Sequence, residues 1–296
     1  MQYVKKTIKI NKMKTGAKVK FTCCIFFMLL YNINNAQIVQ QRTFDFKTGD
    51  EFQKETSINS TCTIQRGNQK LDVSSTSSVT KLYKVKSVTD KGYVFAVSIQ
   101  KMEDVLSALG QKLIYNSEQP LDSTSRIEKA LNYMLNKPVD VSVDKYGTIL
   151  SNNTEVEFAN DTLLAFTGIQ PEVFIEGKTF GLLANFKSDK LKKGYNWTNK
   201  SPISDKQKAV TKYTIYSKSD TSTVIKFTSS VSDGSVNSNT NGTYILDNKG
   251  IIVERFIQSV SAGYAIIGKT IYVTTRSSSI HETCKKIPSN VFAQNR

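Results

Sequence analysis

The sequence predicts a mainly β fold with few helices: curved antiparallel sheets, arranged as a β-sandwich or half-barrel and built from two related meander halves. Three observations predict it. Apolar residues alternate with a period of two, Asp-to-Gly turn signals separate the apolar runs, and the same short motifs recur in the same order in both halves of the chain.

The alternation is clearest in two stretches. Tyr93, Phe95, Val97 and Ile99 share one parity while Ser98 and Gln100 take the other, and Val139, Val141 and Val143 alternate with Asp140 and Ser142. Successive strand residues point to opposite faces, so one face of each stretch must meet a core. The turns lie where such runs stop: Asp90-Lys91-Gly92, Asp144-Lys145-Tyr146-Gly147 and Asp247-Asn248-Lys249-Gly250. Asp bonds the backbone two residues on and Gly takes a positive φ, so each predicts a hairpin. A calcium loop would need a twelve-residue pattern ending in Glu, which these segments lack.

Helix is local. Ser125 and Glu128 form a capping-box pattern, and Ile127, Ala130, Leu131, Met134 and Leu135 follow helical spacing until Pro138 ends the run. Residues 161–166 and 171–184, carrying Phe166, Phe174 and Phe180, are expected to add short helices that cover the sheet. Gly168, Gly177 and Gly181 weaken that helical pattern.

The internal repeat has three anchors. Lys47-x-Gly49-x-x-Phe52 matches Lys192-x-Gly194-x-x-Trp197. Tyr83 to Ser87 matches Tyr213 to Ser217, each followed seven residues after its Ser by a valine, Val94 or Val224. Asp144, Gly147 and Ile149 match Asp247, Gly250 and Ile252. The reading is a first half over residues 37–160, a cover segment and second half over 161–276, and a polar tail over 277–296.

Residues 1–20 carry seven lysines and no acid, the apolar run FTCCIFFMLLY follows, and small Ala36 precedes Gln37. That order reads as a secretory signal peptide spanning residues 1–36. The run is shorter than the roughly 20 apolar residues a spanning helix needs. No cysteine stands between Leu30 and Gln37 to accept a lipid anchor. The expectation is an exported protein, periplasmic or extracellular, with no transmembrane span after cleavage. Losing seven of 40 basic residues leaves 33 against 25 acidic, a net +8.

Cleavage also removes Cys23 and Cys24. Cys62 and Cys284 remain, and an even pair in an oxidising compartment makes them a candidate disulfide if their separation permits one.

Chemistry-bearing patterns are sparse. His281 is the single histidine and sits in the polar segment 276–282 beside the chain end, where a preorganised triad is hard to build, which argues against a Ser-His-Asp hydrolase. His281, Cys284 and Cys62 fall short of the four ligands of a structural zinc site. Glu155 with Glu157, and Asp140 with Asp144, share strand faces and read as wetted surface rather than an acid pair. No phosphate loop, dinucleotide fingerprint or nucleophile elbow occurs, so no catalytic residue, metal ligand or cofactor is assigned. The basic stretch at residues 187–193 is broken by Ser188 and Asp189, and no aromatic-interleaved basic stripe supports nucleic-acid binding. Trp197 reads as a core anchor. Tyr195, Tyr213, Tyr216, Tyr244, Tyr264 and Tyr272 are candidates for lining a concave surface.

The motifs in residues 83–99, 113–117 (LIYNS), 131–150 (LNYMLNKPVDVSVDKYGTIL), 192–197 (KKGYNW) and 242–250 (GTYILDNKG) resemble an uncharacterised family of exported β-rich proteins of Bacteroidota, a domain of unknown function. Where that family tends to place Asp before the Ser of its Tyr-Asp-Ser element, this chain has Asn116. The resemblance implies fold and export, and no chemistry. The functional expectation is a non-enzymatic envelope protein that binds an apolar ligand or a partner protein. The alternatives are a structural or adhesion-type module presenting Ser/Thr-rich faces at residues 74–80 and 229–241, and, third, a carbohydrate-active enzyme.

Overall fold

The computed structural model describes residues 43–153, 169, 172–184, 192–202, 208–232, 236–267 and 270–288. The expected export signal, the helix at 161–166, and Glu155 with Glu157 lie outside the described residues.

The alternating segments form β1 (Glu51–Arg66), β2 (Gln69–Thr89), β3 (Gly92–Ala108), β4 (Gln111–Asn116), β5 (Val139–Asp144), β6 (Ile149–Asn152), β7 (Asn196–Pro202), β8 (Lys208–Lys218), β9 (Ser222–Ser232), β10 (Val236–Asp247), β11 (Ile252–Ile267) and β12 (Thr270–Ile287). They join in one antiparallel 12-stranded sheet, ordered β6-β5-β3-β2-β1-β12-β11-β10-β9-β8-β7, with β4 pairing the distal part of β3. Among the described residues the β6 and β7 edges do not pair with each other, so the sheet is not closed. Among the described residues there is one sheet and no second one to make a sandwich, so of the two expected shapes the half-barrel is the one this open sheet is consistent with.

The matched anchors take corresponding places in the backbone. Gly49 N donates to Val85 O at 2.9 Å and Gly194 N to Ile215 O at 2.8 Å. Phe52 lies opposite Tyr83, and Trp197 opposite Tyr213. A bulge follows Val85 in one half and Ile215 in the other, putting Ser87 against Val94 and Ser217 against Val224. At the hairpin turns, Asp144 Oδ1 accepts from the amides of Tyr146 and Thr148, and Asp247 Oδ1 from those of Lys249 and Ile251. Gly147 and Gly250 both close the turn at φ +87°, a conformation a residue with a Cβ rarely adopts.

Helix α1 (Arg126–Tyr133) starts as its capping pattern predicts: the Glu128 amide donates to Ser125 Oγ at 3.2 Å. The Glu128 carboxylate reaches back to the Asp122 amide rather than to Ser125. Ala130, Leu131 and Met134 are buried against Val79, Met102 and Tyr115, so α1 covers the β2–β3–β4 corner.

Two expectations need correction. Residues 277–287 are not a tail: they are most of β12, the strand that joins the halves by pairing β1 on one side and β11 on the other. Their Ser, Thr and charged residues hid the strand because both of its faces are largely polar. The described part of the cover segment, residues 172–184, is not helical. It runs as an irregular strap with a turn at Gly177 (φ +77°) and isolated bridges Thr148–Thr179 and Leu183–Ile251. Its backbone groups are taken by the hairpin turns, which leaves them no helical partners. Phe180 N donates to Gly147 O and Ala184 N to Gly250 O, while Ile149 N donates to Lys178 O and Ile252 N to Leu182 O. The strap therefore engages the two turns in the same way, four residues apart.

Candidate functional site

The inner face of the sheet changes character along its strands. Beneath the strap it is apolar, with Phe46, Phe52, Phe95 and Val143 packed against Phe174, Phe180, Leu182 and Leu183. One step further along, it carries ionisable groups. Lys54 on β1, Lys81 on β2, Arg255 on β11 and Glu282 on β12 are each less than a tenth exposed. Glu172, from the strap, completes the group.

Glu172 Oε2 is the hub. It accepts from Lys81 Nζ at 3.0 Å and the Tyr83 hydroxyl at 2.6 Å, with Lys54 Nζ at 3.6 Å. Glu282 pairs with the Arg255 guanidinium, lies 4.0 Å from Lys54, and accepts from Thr56 Oγ1 at 3.3 Å. Burial alone would raise both carboxyl pKa values. For Glu172, Lys54, Lys81 and the Tyr83 hydroxyl overcome that cost and hold it well below the usual range. Glu282 is likewise lowered, against its burial, by Arg255, Lys54 and Lys81. Burial and the neighbouring Glu172 charge push the Tyr83 hydroxyl far up, so it stays a donor. Three cations thus meet two carboxylates, a buried excess of one positive charge.

This pair of carboxylates shares Lys54, yet it does not form an acid–base couple. A glycosidase needs one carboxyl kept protonated near neutral pH, and both of these are held ionised.

Beyond the belt lies a row of hydroxyls. Thr211, Ser229, Thr240, Ser259, Ser278, Ser60 and Ser75 are successive cross-strand partners from β8 through to β2. All are buried. They satisfy one another locally: Thr211 with Ser229 at 2.8 Å and Thr240 with Ser259 at 2.9 Å. Ser75 and Ser77 donate to Asp104 Oδ1 at 3.1 and 2.6 Å. The Ser/Thr-rich stretches expected to be exposed faces are therefore split by strand period, with Ser74, Thr76 and Ser78 outside and Ser75 and Ser77 inside.

The remaining sequence candidates separate. Cys62 lies opposite Arg276 and Cys284 opposite Lys54, so the two cysteines sit on adjacent strands eight positions out of register, about 27 Å apart along the strand. They are not bonded to each other, because a disulfide needs Cα atoms within about 7 Å. Burial pushes the Cys284 thiol up to about 12, the response of an inert core thiol. His281 is on the outer face, stacked on Phe256 and 2.9 Å from Glu254 Oε1, while Cys284 points inward, so they cannot share a metal. Asp140 pairs with Lys86, and Asp144 serves its turn. Trp197 stacks on Tyr213 at 4.9 Å against the second-half core. Tyr213 and Tyr244 face inward, whereas Tyr216 and Tyr264 are exposed on the outside. Lys192 and Lys193 are exposed.

Sequence reasoning missed the belt. Glu172 sits in an irregular strap and Glu282 in a segment read as tail. The available signal was Lys54 and Lys81, each at the buried parity of its strand.

No protein-family profile matches this chain, and no curated protein does. Among solved structures, an outer membrane channel of Pseudomonas putida F1 aligns over 84% of this chain and 100% of its own, with 8% identity and a TM-score of 0.25. OccK7 (OpdD) of Pseudomonas aeruginosa aligns over 81% and 100%, with 7% identity and a TM-score of 0.27. The KdgM porin aligns over 79% and 98%, with 6% identity and a TM-score of 0.15. Scores of this size carry no functional implication.

Proposed function

We propose that this chain is an exported, non-enzymatic envelope protein that carries an amphiphile with an anionic head and an apolar tail on the inner face of its half-barrel. The observation that carries the reading is the chemistry of the strap. It presents one carboxylate, Glu172, to Lys54, Lys81 and Tyr83, and four apolar side chains, Phe174, Phe180, Leu182 and Leu183, to the adjoining apolar face. The strap is itself an amphiphile seated in a site that fits one.

Export follows from the signal-like residues 1–36 and from the resemblance to exported Bacteroidota proteins. The cleft beside the belt, lined by Phe46, Phe52, Ile251 and Cys284 among others, holds about 210 Å³. That is below the roughly 300 Å³ at which ligand pockets begin. In this reading a long-chain guest displaces the strap, its head group replacing Glu172 and its chain replacing the strap's apolar side chains.

Native mass spectrometry of the chain beginning at Gln37, with and without added palmitate, tests this. A one-to-one adduct is expected, and it should be stronger in Glu172→Gln, whose strap no longer competes as an anion. Absence of any adduct in folded wild type and in folded Glu172→Gln would overturn the carrier reading.

A further inference from the structure

The outer face of the central strands is polar over most of its extent: Ser57, Asn59 and Thr61 on β1, and Ser74, Thr76 and Ser78 on β2, are exposed. The outer face of the β11–β12 hairpin breaks that rule. Val260, Tyr264, Ile271 and Val273 are 61, 59, 62 and 47% exposed. They form one patch, because Tyr264 lies directly opposite Val273 and Val260 is two strand repeats from Tyr264 on the same face.

This end of the hairpin also projects. Among the described residues, the last partner of β11 on β10 is Val236, opposite Gly263, and the last partner of β12 on β1 is Gln65, opposite Val273. Thr270–Tyr272 therefore run past the end of β1, an overhang of about 10 Å at 3.3 Å per residue, and among the described residues they pair only with the end of β11. The neighbouring tips on this rim carry Arg66, at the end of β1, and Leu109 and Lys112, at the β3–β4 turn. Leu109 is 81% exposed at φ +52°.

We propose that this rim docks on an anionic lipid surface, with Tyr264, Ile271 and Val273 entering the head-group region and Arg66 and Lys112 meeting lipid phosphates. Aliphatic side chains beside an exposed tyrosine suit the interface between acyl chains and head groups, and flanking cations add attraction to anionic lipid. A second copy of the chain fits less well. The four patch side chains expose roughly 400 Å², half of the roughly 800 Å² per partner that a stable protein interface buries.

Co-sedimentation of the chain beginning at Gln37 with vesicles of phosphatidylcholine and phosphatidylglycerol (3:1), against vesicles of phosphatidylcholine alone, tests the inference. The bound fraction should be several-fold higher on the anionic vesicles, fall about tenfold in the double variant Tyr264→Ser/Ile271→Ser, and fall severalfold in Arg66→Gln/Lys112→Gln. All these side chains are surface groups, so circular dichroism and melting temperature should be unchanged and should show that each variant is folded. The inference is overturned if wild type binds neither vesicle, if Tyr264→Ser/Ile271→Ser binds as well as wild type, or if light scattering instead finds a wild-type dimer that this variant abolishes.

Discussion

Asp104 has no exposed surface. One of its oxygens accepts from Ser75 and Ser77, and it makes no ion pair among the described residues. Burial raises its pKa to about 6, against the opposing pull of the Ser77 and Ser75 hydrogen bonds. The folded state therefore holds this proton more tightly than the unfolded state does. Its stabilising contribution is complete below pH 3.8 and is lost as pH rises through about 6. Asp104→Asn should accordingly be more stable than wild type by about 3 kcal/mol at pH 8 and nearly equal to it at pH 4. Urea midpoints at the two pH values check this, and equal midpoints at pH 8 would refute it. Glu172 has the opposite sign. Its pKa is depressed, so its contribution is present above pH 4.5 and is lost as pH falls below that. Glu172→Ala leaves Lys81 buried without its carboxylate and Lys54 with Glu282 alone, and should cost about 3–5 kcal/mol at pH 7. A loss under 1 kcal/mol in chemical denaturation would show that the belt is not held by this residue.

The strap approaches the belt closely at Gly181, where an added Cβ would stand 2.5 Å from Glu172 Oε1. That oxygen ends a side chain fixed by Lys81, Lys54 and Tyr83, so it cannot swing aside without breaking the ion pair. Gly181→Ala should destabilise by about 1–3 kcal/mol and speed hydrogen exchange at the Phe180 and Ala184 amides, which bond Gly147 and Gly250. Unchanged exchange at both amides would count against a strap anchored through Glu172. Elements with a local cause were legible in the sequence. Asp144 and Asp247 bond their own turns, α1 follows from Ser125 and its apolar stripe, and the Tyr83 and Tyr213 strands declare their repeat by identical spacing. Elements with a distant cause were not. Nothing local in Thr270–Ile287 shows that Glu282 meets Arg255 on one neighbouring strand and Lys54 on the other. The hydroxyl row exists only through the register of seven strands, and the strap's fold depends on turns some thirty residues before it and seventy after it.

The sequence repeat suggests two bodies, yet the packing joins them at two levels. β1 pairs β12 from Glu51 opposite Ile287 to Gln65 opposite Val273, so the halves meet at the centre of the sheet rather than at an edge. The first-half core also draws on the second: Phe52, Tyr83 and Phe95 pack in one cluster with Leu182, Ile251 and Cys284. Charge crosses the same seam, since Lys54 approaches Glu172 from the strap and Glu282 from β12. Separating the halves would expose this apolar surface, part Glu172 from Lys54 and Lys81, and leave Glu282 with Arg255 alone, so the first half loses part of its core and the belt is divided. Unfolding should therefore be one cooperative transition. Trp197, the single tryptophan, reports the second half through its stack on Tyr213, while far-ultraviolet dichroism reports the whole sheet. The two probes should give coincident urea transitions with a common midpoint. Truncation before Ser277 should abolish that transition rather than shift it, because it removes the β12 residues opposite Glu51 through Thr61 and, with them, Glu282. A truncated chain that still melts cooperatively, or a wild type whose tryptophan signal changes before its dichroism, would show that the halves fold as separate units.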